Sequence, residues 1–220
     1  MKRVVCQELL DSDSGTPAEV SASLRDIDRI NRRFGGVSTT EAMVRRVVER
    51  VGRAEFSLLD VASGSGALPM MLRERLDRRG VKLNVTVLDR SRSHLNGTCK
   101  AVVADALSLP FADRQFDLVS CALFVHHLEP DDVARFFNEA LRVARVAVVV
   151  NDLRRSYMAL VAAYAGWAII ESRLSRHDGP VSIRRAYTVN ELLDMLKGSR
   201  AAEVEIKEYP FFRMGAILWK

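Results

Sequence analysis

The run Asp60-Val61-Ala62-Ser63-Gly64-Ser65-Gly66 places an acid just ahead of a turn with two glycines. Gly64 and Gly66 carry no side chain, so backbone there can approach a ligand closely and adopt positive φ. The helix that follows offers free N–H groups, which suit a carboxylate or another anion. Asp89 stands 29 positions beyond Asp60. A carboxylate at a strand end accepts hydrogen bonds from a ribose diol. Taken alone, these features fit several nucleotide-like ligands, or simply a tight turn. Dinucleotide sites use G-x-G-x-x-G, whereas Pro69 stands at the third glycine position here. Further along, His126 and His127 are paired. Histidine titrates near neutral pH, which makes both proton-transfer candidates; the alternative is that one or both only pack or hydrogen-bond backbone. Asn151, Asp152 and Arg154 could face the same cleft, with helix capping by Asn151 or Asp152 as the competing reading. Cys121 reads as a small buried residue bordering that cleft rather than as a nucleophile.

These residues fall at the ends of short apolar runs. Phe56–Val61, Leu83–Leu88, Ala101–Ala104, Phe116–Ser120 and Arg145–Val150 read as five strands, the last nearly all apolar and therefore central. Leu68–Arg79 and Asp131–Val143 have helical spacing, stopped by Gly80 and opened by Pro130 respectively. Strands alternating with helices predict an α/β fold, a parallel sheet covered on both faces. In such sheets ligands bind at the carboxyl ends of the strands. Ahead of this unit, Pro17–Ile30 and Thr39–Val51 read as helices separated by Arg33-Phe34-Gly35-Gly36. Residues 1–52 are thus expected to form a helical N-terminal cap on a core spanning 53–220. After the fifth strand, the pattern predicts a helix from Arg154 to about Leu174 and a polar loop from Ser175 to Pro180. Thr188 then opens a helix with Glu191 completing a capping box. Val204–Lys207 and Phe211–Leu218 close the chain as a pair of strands around Pro210.

With the motifs in this order, residues 55–155 resemble the class I S-adenosylmethionine-dependent methyltransferases, and most closely the ubiquinone/menaquinone-type group of small-molecule enzymes. Leu58 to Gly66 resembles the family's first motif, with Ala62 where many members have glycine. Val87-Leu88-Asp89-Arg90-Ser91 is similar to the second, with its ribose-binding acid. Ala104-Asp105-Ala106 through Phe111 is similar to the adenine-binding segment, and Phe116 through His126-His127-Leu128 resembles the fourth-strand segment. The resemblance implies a Rossmann-like, mostly parallel seven-stranded sheet. It implies S-adenosyl-L-methionine as cofactor, S-adenosyl-L-homocysteine as product, and cofactor contacts from Asp60, Ala62, Ser63, Gly64, Gly66, Asp89, Arg90, Asp105, Ala106 and Cys121. The acceptor expected is a small apolar metabolite, aromatic or polyketide-like, methylated on oxygen or carbon, with His127 or His126 as base. Phe34-Gly35-Gly36 could close over the cofactor, with Asn31 or Arg32 near its carboxylate. Tyr157, Tyr164 and Trp167 recur on one helix face and could line an acceptor pocket, pack in the core or form a homodimer contact. A cofactor-binding module without catalysis, and an RNA or protein methyltransferase, are the alternatives.

Composition narrows the partners. The 220 residues include 48% hydrophobic and 28% charged, with a formal net charge of +5. That supports one compact domain with a substantial core. The basic residues are scattered in pairs such as Arg32-Arg33 and Arg184-Arg185, so no nucleic-acid partner is expected. Ser120-Cys121-Ala122-Leu123 also lacks the Pro-Pro-aromatic signature of base-methylating enzymes. The three cysteines have no metal-ligand spacing, which argues against a zinc site or a disulfide framework and for a reducing, cytoplasmic setting. The most apolar stretch, Tyr157–Ile170, is shorter than the roughly 20 residues of a membrane span.

Overall fold

The computed structural model describes residues 1–12, 14–95, 97 and 99–220. Seven strands form one sheet: β1 (Glu55–Val61), β2 (Lys82–Asp89), β3 (Lys100–Val103), β4 (Phe116–Ala122), β5 (Ala144–Leu153), β6 (Glu203–Tyr209) and β7 (Arg213–Trp219). Their order is β3-β2-β1-β4-β5-β7-β6, and only β7 runs antiparallel to its neighbours. The order reverses at β1, so the crevice at the carboxyl ends of β1 and β4 is where such a sheet binds ligands.

Side chains alternate across the strands and feed two cores. On one face, Leu59, Val119 and Val148 pack with Phe136 and Phe137 of α4 (Pro130–Val143) and Leu192 of α7 (Val189–Leu196). On the other, Leu58, Leu118 and Val149 pack with Val44 and Val47 of α2 (Gly36–Val51) and Leu72 and Leu76 of α3 (Ala67–Asp77). Since α2 shares that core with the strands, the expected boundary at residue 52 falls between packed elements. α1 (Pro17–Arg33) contributes to neither core and packs on α2, α3 and α6 (Arg173–Arg185). A Thr16/Glu19 capping box fixes the start of α1, and the Thr188/Glu191 box opens α7 as its spacing predicts.

The segment after β5 differs from expectation. The helix stops early: α5 covers Tyr157–Ala165 and gives way to a 3-10 turn, Gly166–Ile169. The stretch read as a polar loop, Ser175 to Pro180, is instead the middle of α6, with Pro180 inside it. Pro and Gly both disfavour helix, but tertiary packing overrides them. Leu174, Val181 and Ile183 are buried, Ser172 caps the helix, and Asp178 accepts the backbone N–H groups of Leu9 and Leu10 at 2.8 and 3.0 Å. Those two bonds tie the N-terminal segment across the carboxyl ends of the strands. No described helix is long and apolar enough to cross a membrane.

Candidate active site

One cavity of about 760 Å³ opens at the carboxyl ends of β1, β2, β4 and β5. Its first half is built by the glycine-rich turn. Ala62, Gly64 and Gly66 all adopt positive φ, at 54°, 54° and 74°, which folds the chain back sharply between β1 and α3. For Ala62 that conformation carries a strain of roughly 1 kcal/mol that glycine would not. The parallel register sets Asp60 opposite Ser120, and its carboxylate accepts Ser120 Oγ–H and Ser63 Oγ–H, each at 2.5 Å. Burial pushes the Asp60 carboxyl up to about 6. Asp89, at the end of β2, accepts the Gly64 and Ser91 N–H groups at 2.8 and 2.9 Å. Burial opposes its ionisation, but His94 and these N–H groups outweigh burial and lower its pKa. Asp89 lines the cavity. Asp105 and Ala106 line the same half, with Asp105 Oδ1 accepting Leu107 N–H at 2.9 Å.

The second half is dominated by charge. A 3-10 turn, Val125–His127, follows β4 and presents both histidines. Asp152 of β5 accepts His126 backbone N–H at 3.0 Å and pairs with His126 Nδ1 at 2.6 Å. His126 Nε2 lies 3.6 Å from Glu8. Burial works against a charge on His126, yet Asp152 and Glu8 outweigh it and raise its pKa to about 10. His126 is therefore an imidazolium at neutral pH, a poor proton acceptor. His127 is less buried; its Nδ1 pairs with Asp11 at 2.9 Å and its ring stacks on His126 at 4.2 Å. Apolar groups complete this half, among them Ala159, Ala162, Ala163 and Trp167.

The comparisons with known proteins agree with this geometry. A family profile described as "Methyltransferase domain" matches residues 59–148. A ubiquinone/menaquinone biosynthesis C-methyltransferase UbiE of Rickettsia typhi is 30% identical over 101 residues, 40% of either chain. Its counterpart in Rickettsia akari is 24% identical over 140 residues, 56% of either chain. The matched region spans about two-fifths of the length of the first of these relatives. Among solved structures, the plantazolicin methyltransferase BpumL in complex with SAH superposes with a TM-score of 0.71 at 14% identity, over 97% of this chain and 94% of that one. A SAM-dependent methyltransferase from Aquifex aeolicus gives 0.63 at 16%, over 93% and 98%. Residues 59–148 thus match a methyltransferase domain, and the chain shares the fold of solved S-adenosylmethionine-dependent methyltransferases.

Asp89, Asp105 and Ala106 line the half of the cavity beside the glycine-rich turn, polar groups of the kind a nucleoside-like ligand requires. The start of α3 offers fewer free backbone N–H groups for an anion than the sequence suggests. Ser65 Oγ already accepts Ala67 N–H at 3.2 Å, and Pro69 has no N–H to give.

Of the residues expected at the site, Asp60, Ala62, Ser63, Gly64, Asp89, Arg90, Asp105, Ala106, His126 and His127 line the cavity. Gly66 turns the chain into α3 behind it, and Cys121 lies in the core, 2% exposed, with burial pushing its thiol pKa up. Asn31 and Phe34 also line it, whereas Arg32 points to Met71 Sδ at 3.4 Å. Neither Asn151 nor Asp152 caps a helix; Ser156 caps α5. Asn151 instead accepts from Arg213 at 3.2 Å and donates to Gly36 O at 2.7 Å, while Arg154 pairs with Glu208. Tyr157 and Tyr164 face outward, and only Trp167 of that trio reaches the cavity. Glu8, Asp11 and Asp28 are among the lining acids that belong to no motif. Asp28 accepts Ser65 Oγ–H at 2.7 Å, and burial raises its pKa.

Proposed function

We propose that the protein methylates an oxygen or carbon of a small apolar, aromatic acceptor. The single observation that carries this reading is the continuity of the cavity: its motif-lined half runs directly into a second half that joins the apolar walls of Ala159, Ala162, Ala163 and Trp167 to His126 and His127. S-adenosylmethionine, when bound, supplies an electrophilic methyl group on a sulfonium. The chain's own residues then provide placement and proton handling. Asp89, Asp105 and Ala106 hold the nucleoside end. Asp60 braces the turn through Ser63 and Ser120. His127 takes the acceptor's proton, because Asp11 orients its Nδ1 and leaves Nε2 toward the cavity. His126, kept charged by Asp152 and Glu8, positions His127 by stacking and adds positive potential for an acceptor anion. The name of the Rickettsia relatives, C-methyltransferases of ubiquinone/menaquinone biosynthesis, supports an apolar cyclic acceptor.

The test is incubation with methyl-labelled S-adenosylmethionine and a panel of phenols, quinols and aromatic polyketides. Label is expected in at least one phenol or quinol. Tight binding of the demethylated product with no label transferred to any acceptor would leave a cofactor-binding module instead.

A further inference from the structure

We propose that Glu8, His126 and His127 hold a divalent first-row transition-metal ion at the acceptor end of the cavity. One ligand atom from each residue lies within 4.8 Å of the other two. Each imidazole is oriented by a carboxylate on its far nitrogen: Asp152 on His126 Nδ1 at 2.6 Å and Asp11 on His127 Nδ1 at 2.9 Å. That arrangement holds Nδ1–H against the carboxylates and leaves both Nε2 atoms toward Glu8, as carboxylate–histidine–metal sites do, and an ion would displace the proton that His126 carries on Nε2 in the metal-free protein. Both Nε2 atoms face the Glu8 carboxylate, at 3.6 and 3.9 Å. These separations are too long for hydrogen bonds. They exceed by less than about an ångström the spacing of two ligands on one ion with bonds of about 2.0–2.2 Å.

Glu8 supplies the independent observation. It is 5% exposed, and its Oε1 has no hydrogen-bond partner among the described residues. A buried carboxylate oxygen that accepts no hydrogen bond is costly, even with His126 Nε2 at 3.6 Å and Arg185 Nη1 at 4.0 Å. The backbone just beyond it is pinned, since Leu9 and Leu10 N–H donate to Asp178. Glu8 is therefore held over the histidine pair rather than free to turn outward. Two imidazoles and one carboxylate favour zinc, iron, cobalt or nickel over calcium or magnesium. All three residues line the cavity, so further coordination positions open toward the acceptor. An ion there would bind an acceptor oxygen and acidify its hydroxyl, the task that falls to His127 in the metal-free protein. That role rests on the proposed function; the binding of the ion does not.

Chelator-treated full-length protein would be titrated with Zn²⁺ by calorimetry and with Co²⁺ by visible absorption, with S-adenosylhomocysteine binding measured on the same samples. One ion per chain is expected, with Co²⁺ d–d bands. Glu8→Gln and His127→Ala should abolish the Co²⁺ signal, and Asp11→Asn should weaken binding about 10–100-fold. His177→Ala, outside the cavity, should leave it unchanged. Circular dichroism melts check folding, and Asp11→Asn carries the test if His127→Ala fails to fold. Absence of Zn²⁺ and Co²⁺ binding to the wild type, or binding that survives Glu8→Gln and His127→Ala, overturns the inference. In either case retained S-adenosylhomocysteine binding leaves the donor site standing.

Discussion

At the scale of single residues, two histidines that look equivalent in sequence stand in different surroundings. His126 is clamped by Asp152 and Glu8, and in the proposed reaction His127, paired with Asp11, is the base. His127→Ala is expected to lower turnover by about 10²–10⁴-fold while leaving S-adenosylhomocysteine affinity nearly unchanged, as single-turnover assays and calorimetry would show. An equal loss of cofactor affinity would contradict this division of labour. The motif acids and glycines were legible because their chemistry depends on short spacings along one strand–turn–helix. Glu8, Asp11 and Asp28 were not. Their partners lie far off in sequence, Asp11 with His127 by 116 positions and Asp28 with Ser65 by 37. No local period marks an acid for such a contact.

Elements set where those residues stand. The foot of the sheet is clamped by Asp117, at the start of β4. It accepts Ser57 N–H and Ser57 Oγ–H at 2.9 Å from β1, and pairs with Arg53 and Arg145 at 3.0 and 2.8 Å. Burial opposes its ionisation, but these partners outweigh burial and lower its pKa to about 2. A depressed carboxylate pKa contributes stability that is present above the unfolded value near 4 and lost as pH falls through 2. Asp117→Asn should thus cost about 1–2 kcal/mol at pH 7. In urea melts that difference should shrink between pH 4 and pH 2; a constant difference would show that the clamp does not act through charge. Strand periodicity and the Thr188 capping box made β1 to β5 and α7 readable in advance. The segment Ser175–Pro180 defeated the same reasoning, because Gly179 and Pro180 are local helix breakers. What holds α6 there is burial of Leu174, Val181 and Ile183 together with the Asp178 clasp on the N-terminal segment.

The whole molecule joins a donor half that the sheet builds by itself to an acceptor half completed from a distance. Arg3 donates to Arg185 O at 2.7 Å and to Leu128 O at 3.0 Å, which fastens the first residues over the histidine turn. Buried Arg213 ties Phe34, Asn31 and Asn151 together beneath the cavity, at 2.8, 3.0 and 3.2 Å. Deleting residues 1–14 should therefore abolish turnover while preserving donor binding, and loss of donor binding in a folded deletion variant would argue against this separation. The lining residues of the proposed donor half could be named from sequence because they come from one contiguous stretch. The acceptor half needed the fold, because its walls come from the N-terminal segment, β4, β5, α5 and α6. The central claim, that the Asp60–Gly66 turn with Asp89 and Asp105 binds S-adenosylmethionine, is tested most directly by calorimetric titration with S-adenosylhomocysteine. One molecule should bind per chain, and Asp89→Ala should weaken it by about tenfold or more through lost ribose hydrogen bonds. No measurable heat from the wild-type protein, or an affinity untouched by Asp89→Ala, would contradict the account.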